Sequence, residues 1–211
     1  MSGLVNAVQV DRWLRSFAAL VTENRDHLTE LDAAIGDADH GSNMDRGMSA
    51  AKAALDDAAG AAPGALLTKV GMTLVSTVGG ASGPLFGTLF MRMGQSLGDA
   101  PEVSPEDLAA AVRAGMEGVV ARGRAELGDK TMYDALSPAV DALDAGLTEG
   151  DPLVQALARP SAAAAEGRDA TEPMLARKGR ASYLGERSVG HLDPGAASIA
   201  LLFEAATGTG F

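Results

Sequence analysis

The sequence predicts an all-α fold, an up-and-down bundle of about eight antiparallel helices. Over residues 4–31 most apolar side chains recur at spacings of three, four or seven, as in a helix that buries one face. Helix caps and glycine or proline breakers divide the chain at regular places. No run alternates apolar and polar residues with the period of two that a half-buried strand needs. Composition agrees, since 46% of the 211 residues are hydrophobic and only 4% aromatic, and alanine and leucine are strong helix formers. That length and apolar content suit one domain over residues 1–211.

Leu4, Val8, Trp13, Phe17, Leu20, Val21, Leu28 and Leu31 mark a first helix over 4–31 that stops near Asp32–Gly36. Ser42, with Asp45 three residues on, signals the N-cap of a second helix over 43–58, which "AAPG" at 61–64 ends. A third helix spans 65–78. "GGASGP" at 79–84 interrupts it, and Pro84 suits the first turn of a fourth. Ser104, Pro105 and Asp107 open a fifth that ends near Leu127. Thr131 and Asp134 open a sixth that runs through Leu147, with Pro138 in or near its first two turns. A seventh runs from Pro152 towards Lys178, bent or interrupted at Pro160 and Pro173. Residues 179–193 read as a long glycine-rich loop, after which Asp193 and Pro194 cap a last helix over 194–207.

The 28 Asp and Glu against 17 Lys and Arg give a net charge of −11. Such a surface repels nucleic acid and anionic membranes, so neither is an expected partner. The absence of cysteine excludes disulfides, thiolate catalysis and cysteine-ligated zinc, and fits a cytoplasmic protein. The N-terminus lacks the charged and apolar regions of a signal peptide, and no stretch is apolar for the ~18 residues a membrane span needs.

The chemistry concentrates in "IGDADHGSNMDRG", residues 35–47. Asp37 and Asp39 lie in the turn after the first helix, and Asp32 lies near that helix's end. Gly36 and Gly41 let the backbone fold back so that the three carboxylates converge. At about 5 Å apart, each pair repels by roughly 3 kcal/mol at an effective dielectric near 20, a cost that a bound cation cancels. All-oxygen ligands favour Mg²⁺ or Ca²⁺. The spacing is not that of an EF-hand, because Gly41 stands at the third ligand position and the closing Glu is missing. For His40 a hydrogen-bond donor to phosphate is preferred over a metal ligand, since Mg²⁺ prefers oxygen.

Magnesium held by few carboxylates usually shares its shell with phosphates. Walker and Rossmann glycine patterns are both absent. "GGASGP" and "DPGA" at 193–196 each precede a helix, where free N–H groups and the positive dipole end favour anions. Ser82 and Gly83 are candidate phosphate contacts. Lys130, Lys178 and Arg180, in the glycine-plus-basic turns 126–136 and 176–187, are candidates to neutralise phosphate charge, although any one of them also reads as solvated surface.

The strings "LDAAIGDADHGSNMDRG", "VGGASGPLFGTLF", "GDKTMYDAL" and "ARKGRASYLGERSVGHLDPGA", in this order over residues 31–196, resemble the nucleotide-binding L subunit of dihydroxyacetone kinase. The resemblance implies a barrel of eight antiparallel helices and two Mg²⁺ ions held by Asp32, Asp37 and Asp39, with nucleotide phosphates completing their shells. His40, Gly41, Ser42 and Asn43 would line the phosphates, as would Ala81, Ser82 and Gly83. Gly123, Met132, Arg180, Asp193, Pro194 and Gly195 would surround the rest of the nucleotide.

It also implies phosphoryl transfer to dihydroxyacetone held covalently on a separate K subunit. ADP would be a bound cofactor recharged by a phosphocarrier M subunit of the phosphotransferase system. The alternative is exchangeable ATP. The chain's size favours the first kind, and a second copy of the chain is a further candidate partner. Other readings are a kinase subunit for another ketose or acceptor, a nucleotide-sensing regulatory module, and an acidic helical bundle with a calcium-binding turn.

Overall fold

The computed structural model describes residues 3–209 and 211, so residues 1, 2 and 210 of the expected domain lie outside the described residues. Ten α-helices run through it. They are α1 (Ala7–Glu23), α2 (Arg25–Ile35), α3 (His40–Asp56), α4 (Pro63–Thr77), α5 (Ser82–Leu97), α6 (Pro105–Gly123), α7 (Met132–Thr148), α8 (Leu153–Ala156), α9 (Ala158–Ala170) and α10 (Pro194–Thr207). Eight of them close a ring. α1 packs on α3, and the contacts then run through α4, α5, α6, α7, α9 and α10 back to α1. Short connections make neighbours along such a ring antiparallel. The all-α class and the eight-membered arrangement therefore both stand, with α2 and the single-turn α8 as additions.

The expected first helix is two. At Asn24 the backbone N–H and the side-chain amide both donate to the Leu20 carbonyl, which closes α1, while the Asn24 carbonyl accepts from Leu28 N–H and starts α2. Leu4 and Val8 lie on the surface, and the neighbouring Val5 and Val10 are the buried pair. Val5 and Asn6 pair antiparallel with Val103 and Glu102 in a two-residue bridge, β1 and β2. A ladder that short leaves no period to read in the sequence.

Where a cap motif was complete, the boundary falls where the sequence put it. Ser104 and Asp107 form a reciprocal capping box on α6, and Thr131 and Asp134 form another on α7. Asp193 accepts from Ala196 N–H at the start of α10. The exception is α3. It begins at His40, three residues before the helix predicted from Ser42, whose hydroxyl instead donates to the Asp39 carbonyl. The seventh helix breaks into α8 and α9 and ends at Ala170, before Pro173.

The interior is aliphatic with an aromatic centre. Phe17 of α1 meets Phe86 and Phe90 of α5, with ring centroids 6.5 and 6.4 Å apart. The Trp13 indole N–H donates to the Leu202 carbonyl at 2.9 Å, a polar tie across the α1–α10 seam that closes the ring. No helix among the described residues is long and apolar enough to cross a membrane.

In an up-and-down ring, every second helix starts at the same end. α3, α5, α7 and α10 are alternate members here, and their first residues meet at one end of the bundle around a cavity of about 700 Å³. Four partial positive charges thus converge on one space.

Candidate active site

One wall of the cavity is the acidic turn between α2 and α3. Asp32, Asp37 and Asp39 each offer an oxygen within 4.8 Å of the others. The convergence is built locally. Asp32 Oδ2 accepts from Asp39 N–H at 2.8 Å and His40 N–H at 3.1 Å. It therefore does from outside α3 what an N-cap side chain would do, which is why α3 starts without one. Gly36 makes the approach possible, since a Cβ there would sit 2.0 Å from Asp32 Oδ1. Gly41 serves packing, since a Cβ would sit 2.0 Å from the Arg25 carbonyl oxygen. Ala38 holds the turn in the left-handed region at φ 61°. Three hard carboxylate donors at this separation suit Mg²⁺ or Ca²⁺.

His40 sits under this wall. Its Nδ1 lies 3.0 Å from Ser82 Oγ and its Nε2 lies 2.8 Å from Ser198 Oγ. Burial pushes the imidazole below its ordinary pKa against the opposing pull of Asp32 and Asp39. A neutral ring donates from one nitrogen and accepts at the other, so it tethers both serines. Both ring nitrogens thus face hydroxyls, and His40 lines the cavity together with Ser82 at the start of α5.

The opposite wall is the segment between α9 and α10. It holds a 3₁₀ helix (Arg180–Ser188) inside what the sequence marked as an irregular loop. Arg180 Nη2 reaches across to Asp37 Oδ2 at 2.8 Å, so the two walls touch at an exposed ion pair. Asp193, Pro194 and Gly195 line the floor with Met132. Burial, reinforced by Asp134, pushes the Asp193 carboxyl up to about 7, while Ala196 N–H and the Lys130 ammonium pull it down.

The cavity lining brings together Asp32, Asp37, Asp39 and His40 with Ala81, Ser82 and Arg180. Gly41, Ser42, Asn43, Gly83 and Gly123 are not part of it. Gly41, Asn43 and Gly83 are buried behind the lining, and Ser42 and Gly123 are exposed. The Asn43 amide oxygen instead accepts from Arg46, whose Nε also donates to the Thr77 carbonyl, joining α3 to the end of α4. The sequence reading missed the apolar patch of Ile35, Leu85 and Phe86, which shares helix faces with the core and carries no local signal. It also missed Ser198, a lone serine in an apolar helix. Lys130 is corrected. Its ammonium is taken up by four backbone carbonyls rather than left free for phosphate.

The DAK2 domain model matches residues 34–208. The ADP-binding subunit DhaL of PEP-dependent dihydroxyacetone kinase 1 from Listeria innocua is 46% identical over 92% of both chains. The chain belongs to the DhaL family. The DhaL subunit of the Escherichia coli K12 enzyme is 44% identical over 95% of both chains. Among solved structures, the dihydroxyacetone kinase of C. freundii superposes with a TM-score of 0.73 at 27% identity. That likeness covers 98% of this DhaL-family chain and 35% of the larger enzyme. The same enzyme in complex with AMP-PNP and Mg²⁺ superposes with a TM-score of 0.72 at 25% identity.

Proposed function

We propose that this chain, one domain over residues 1–211, is the ADP-binding subunit of a phosphotransferase-system-dependent dihydroxyacetone kinase. One observation carries the reading. Three carboxylates converge at the mouth of a cavity on which four helix N-termini also converge. Negative side chains for a divalent cation beside positive helix ends for an anion are what a metal–phosphate pair requires.

Asp32, Asp37 and Asp39 would hold two Mg²⁺ ions. When bound, the metal neutralises phosphate charge, the main demand of phosphoryl transfer. The Ser82 hydroxyl, held by His40, would donate to phosphate, taking over the role that the sequence reading gave to the His40 ring. Backbone N–H groups at Ala81 and Gly83 and at residues 40–43 would add to it. Met132, Arg180 and residues 193–195 would enclose the rest of the nucleotide, with Gly123 at its edge.

The phosphoryl group would pass to dihydroxyacetone carried covalently by a K subunit and be restored by a phosphocarrier M subunit, in the cytoplasm, with this chain as a homodimer. A cavity that offers a cation site beside an anion site fits a chain that supplies half of a shared active site. A second reading is a kinase for another ketose. D-erythrulose kinase of Mycolicibacterium smegmatis is 35% identical, with this chain covering 35% of it. The higher identity of the DhaL subunits favours the first reading.

The test is to purify the protein without added nucleotide, denature it, and chromatograph the released adenine nucleotides. Stoichiometric ADP supports a resident cofactor. An empty protein that binds ATP reversibly with Mg²⁺ favours the exchangeable-substrate reading. An empty protein that binds neither overturns the phosphoryl-transfer reading.

A further inference from the structure

Lys130 is a buried lysine, 1% exposed, at the edge of the cavity lining. Its backbone is held at φ 63°, in the region that favours glycine. The turn around it is built to keep it there. Asp129 Oδ2 accepts from Glu126 N–H at 2.8 Å, while the two Asp134 carboxylate oxygens accept from Gly128 N–H at 2.6 Å and Thr131 N–H at 2.8 Å. From this mount the ammonium donates to the carbonyls of Thr171 at 2.8 Å, Glu172 at 3.3 Å, Met174 at 3.1 Å and His191 at 2.5 Å. Three protons serve four carbonyls, and all four acceptors belong to the segment 171–193.

Those acceptors lie at both ends of the segment. Between them stand Arg177, Lys178 and the 3₁₀ helix, the wall that faces the three aspartates. The other polar ties from this segment to the rest of the chain include Arg177 N–H to the Asp129 carbonyl at 3.1 Å and the exposed Arg180–Asp37 pair. A buried ammonium that gathers two chain ends at one point constrains such a segment more than either of these.

We propose that Lys130 is a positioning residue, a staple that closes the segment 171–193 over the cavity and sets how long a nucleoside diphosphate stays there. Its ammonium acts through the backbone carbonyls it holds. Its loss would free the wall while leaving the helical ring standing.

The test uses Lys130→Met, which keeps the chain length and removes the ammonium, and Lys130→Arg, which keeps the cation. Trypsin reports the segment directly, because Arg177, Lys178, Arg180 and Arg187 are exposed cleavage sites within it. For Lys130→Met, cleavage within 177–187 should become at least about tenfold faster while far-ultraviolet helicity stays native. Release of bound ADP should accelerate by a similar factor, and Lys130→Arg should recover most of both. The ADP arm rests on the nucleotide reading above, but the trypsin arm does not, so a protein that never binds ADP still tests the staple. Unchanged cleavage in folded Lys130→Met overturns the proposal. Equal opening in Lys130→Arg overturns it too, by assigning the effect to packing. Failure of Lys130→Met to fold also overturns it, by making Lys130 a tie for the whole bundle.

Discussion

The two walls of the cavity are held in opposite ways. The acidic turn at 36–39 is fixed from within its own neighbourhood, since Asp32 lies a few residues upstream and gathers the N–H groups of Asp39 and His40. The segment 171–193 is tied end to end by Gly190 N–H on the Glu172 carbonyl and Asp193 N–H on Thr171 Oγ1, and is fixed from outside by a lysine some forty residues earlier that gathers carbonyls from both of its ends. One wall uses an anion on backbone donors, the other a cation on backbone acceptors. The first can be broken by changing its own residues, whereas the second should yield most to a change at a remote position.

The largest effect should come from Asp32→Ala. It removes a carboxylate of the cluster and leaves two N–H groups without their acceptor, a cost of about 1–3 kcal/mol for each one buried from water. Urea unfolding of the metal-free protein should show the stability loss, and Mg²⁺-dependent nucleotide binding should vanish in calorimetry. Binding at the wild-type level would mean that the turn is not the metal wall.

Gly36→Ala comes next. A Cβ 2.0 Å from Asp32 Oδ1 must push that carboxylate aside, so Mg²⁺ affinity should fall by about tenfold or more although no ligand has been changed. Metal titration reads this, and an unchanged constant would show that Asp32 need not stay where it is.

Asp193→Asn probes the floor shared by the two walls. An Asp raised to about 7 in the folded chain binds a proton that the unfolded chain, near 3.8, has already released. Its contribution to stability is therefore full below about pH 3.8 and is lost as pH rises to about 7. The side chain keeps part of its surface towards the cavity, so solvent screening holds the effect below the full shift. Relative to wild type, Asp193→Asn should flatten the melting temperature against pH across that window in nucleotide-free protein. Parallel curves would count against the raised carboxyl.

Arg180→Ala should matter least to stability. The Arg180–Asp37 pair is exposed at both partners, and such a pair contributes at most about 1 kcal/mol. A melting shift beyond a few degrees would show that the walls depend on touching each other.

The sequence by itself determined the helical class, most helix starts and the composition of the acidic turn, because caps, breakers and apolar spacing act within one or two turns of chain. The capping boxes at Ser104 and Thr131 are read from four consecutive residues and appear as read. Where a long-range partner replaced a local one, the reading slipped. α3 begins at His40 rather than after Ser42 because Asp32 supplies the cap from the preceding helix. Only the tertiary structure decided that four alternate helix N-termini meet at one end, that the His40 ring is held by Ser82 and Ser198, and that the Lys130 charge goes to carbonyls. Each of these follows from ring closure and from partners tens of residues away. A side chain's type carries no record of such distances, whereas burial forces every polar group in the closed ring to find a partner.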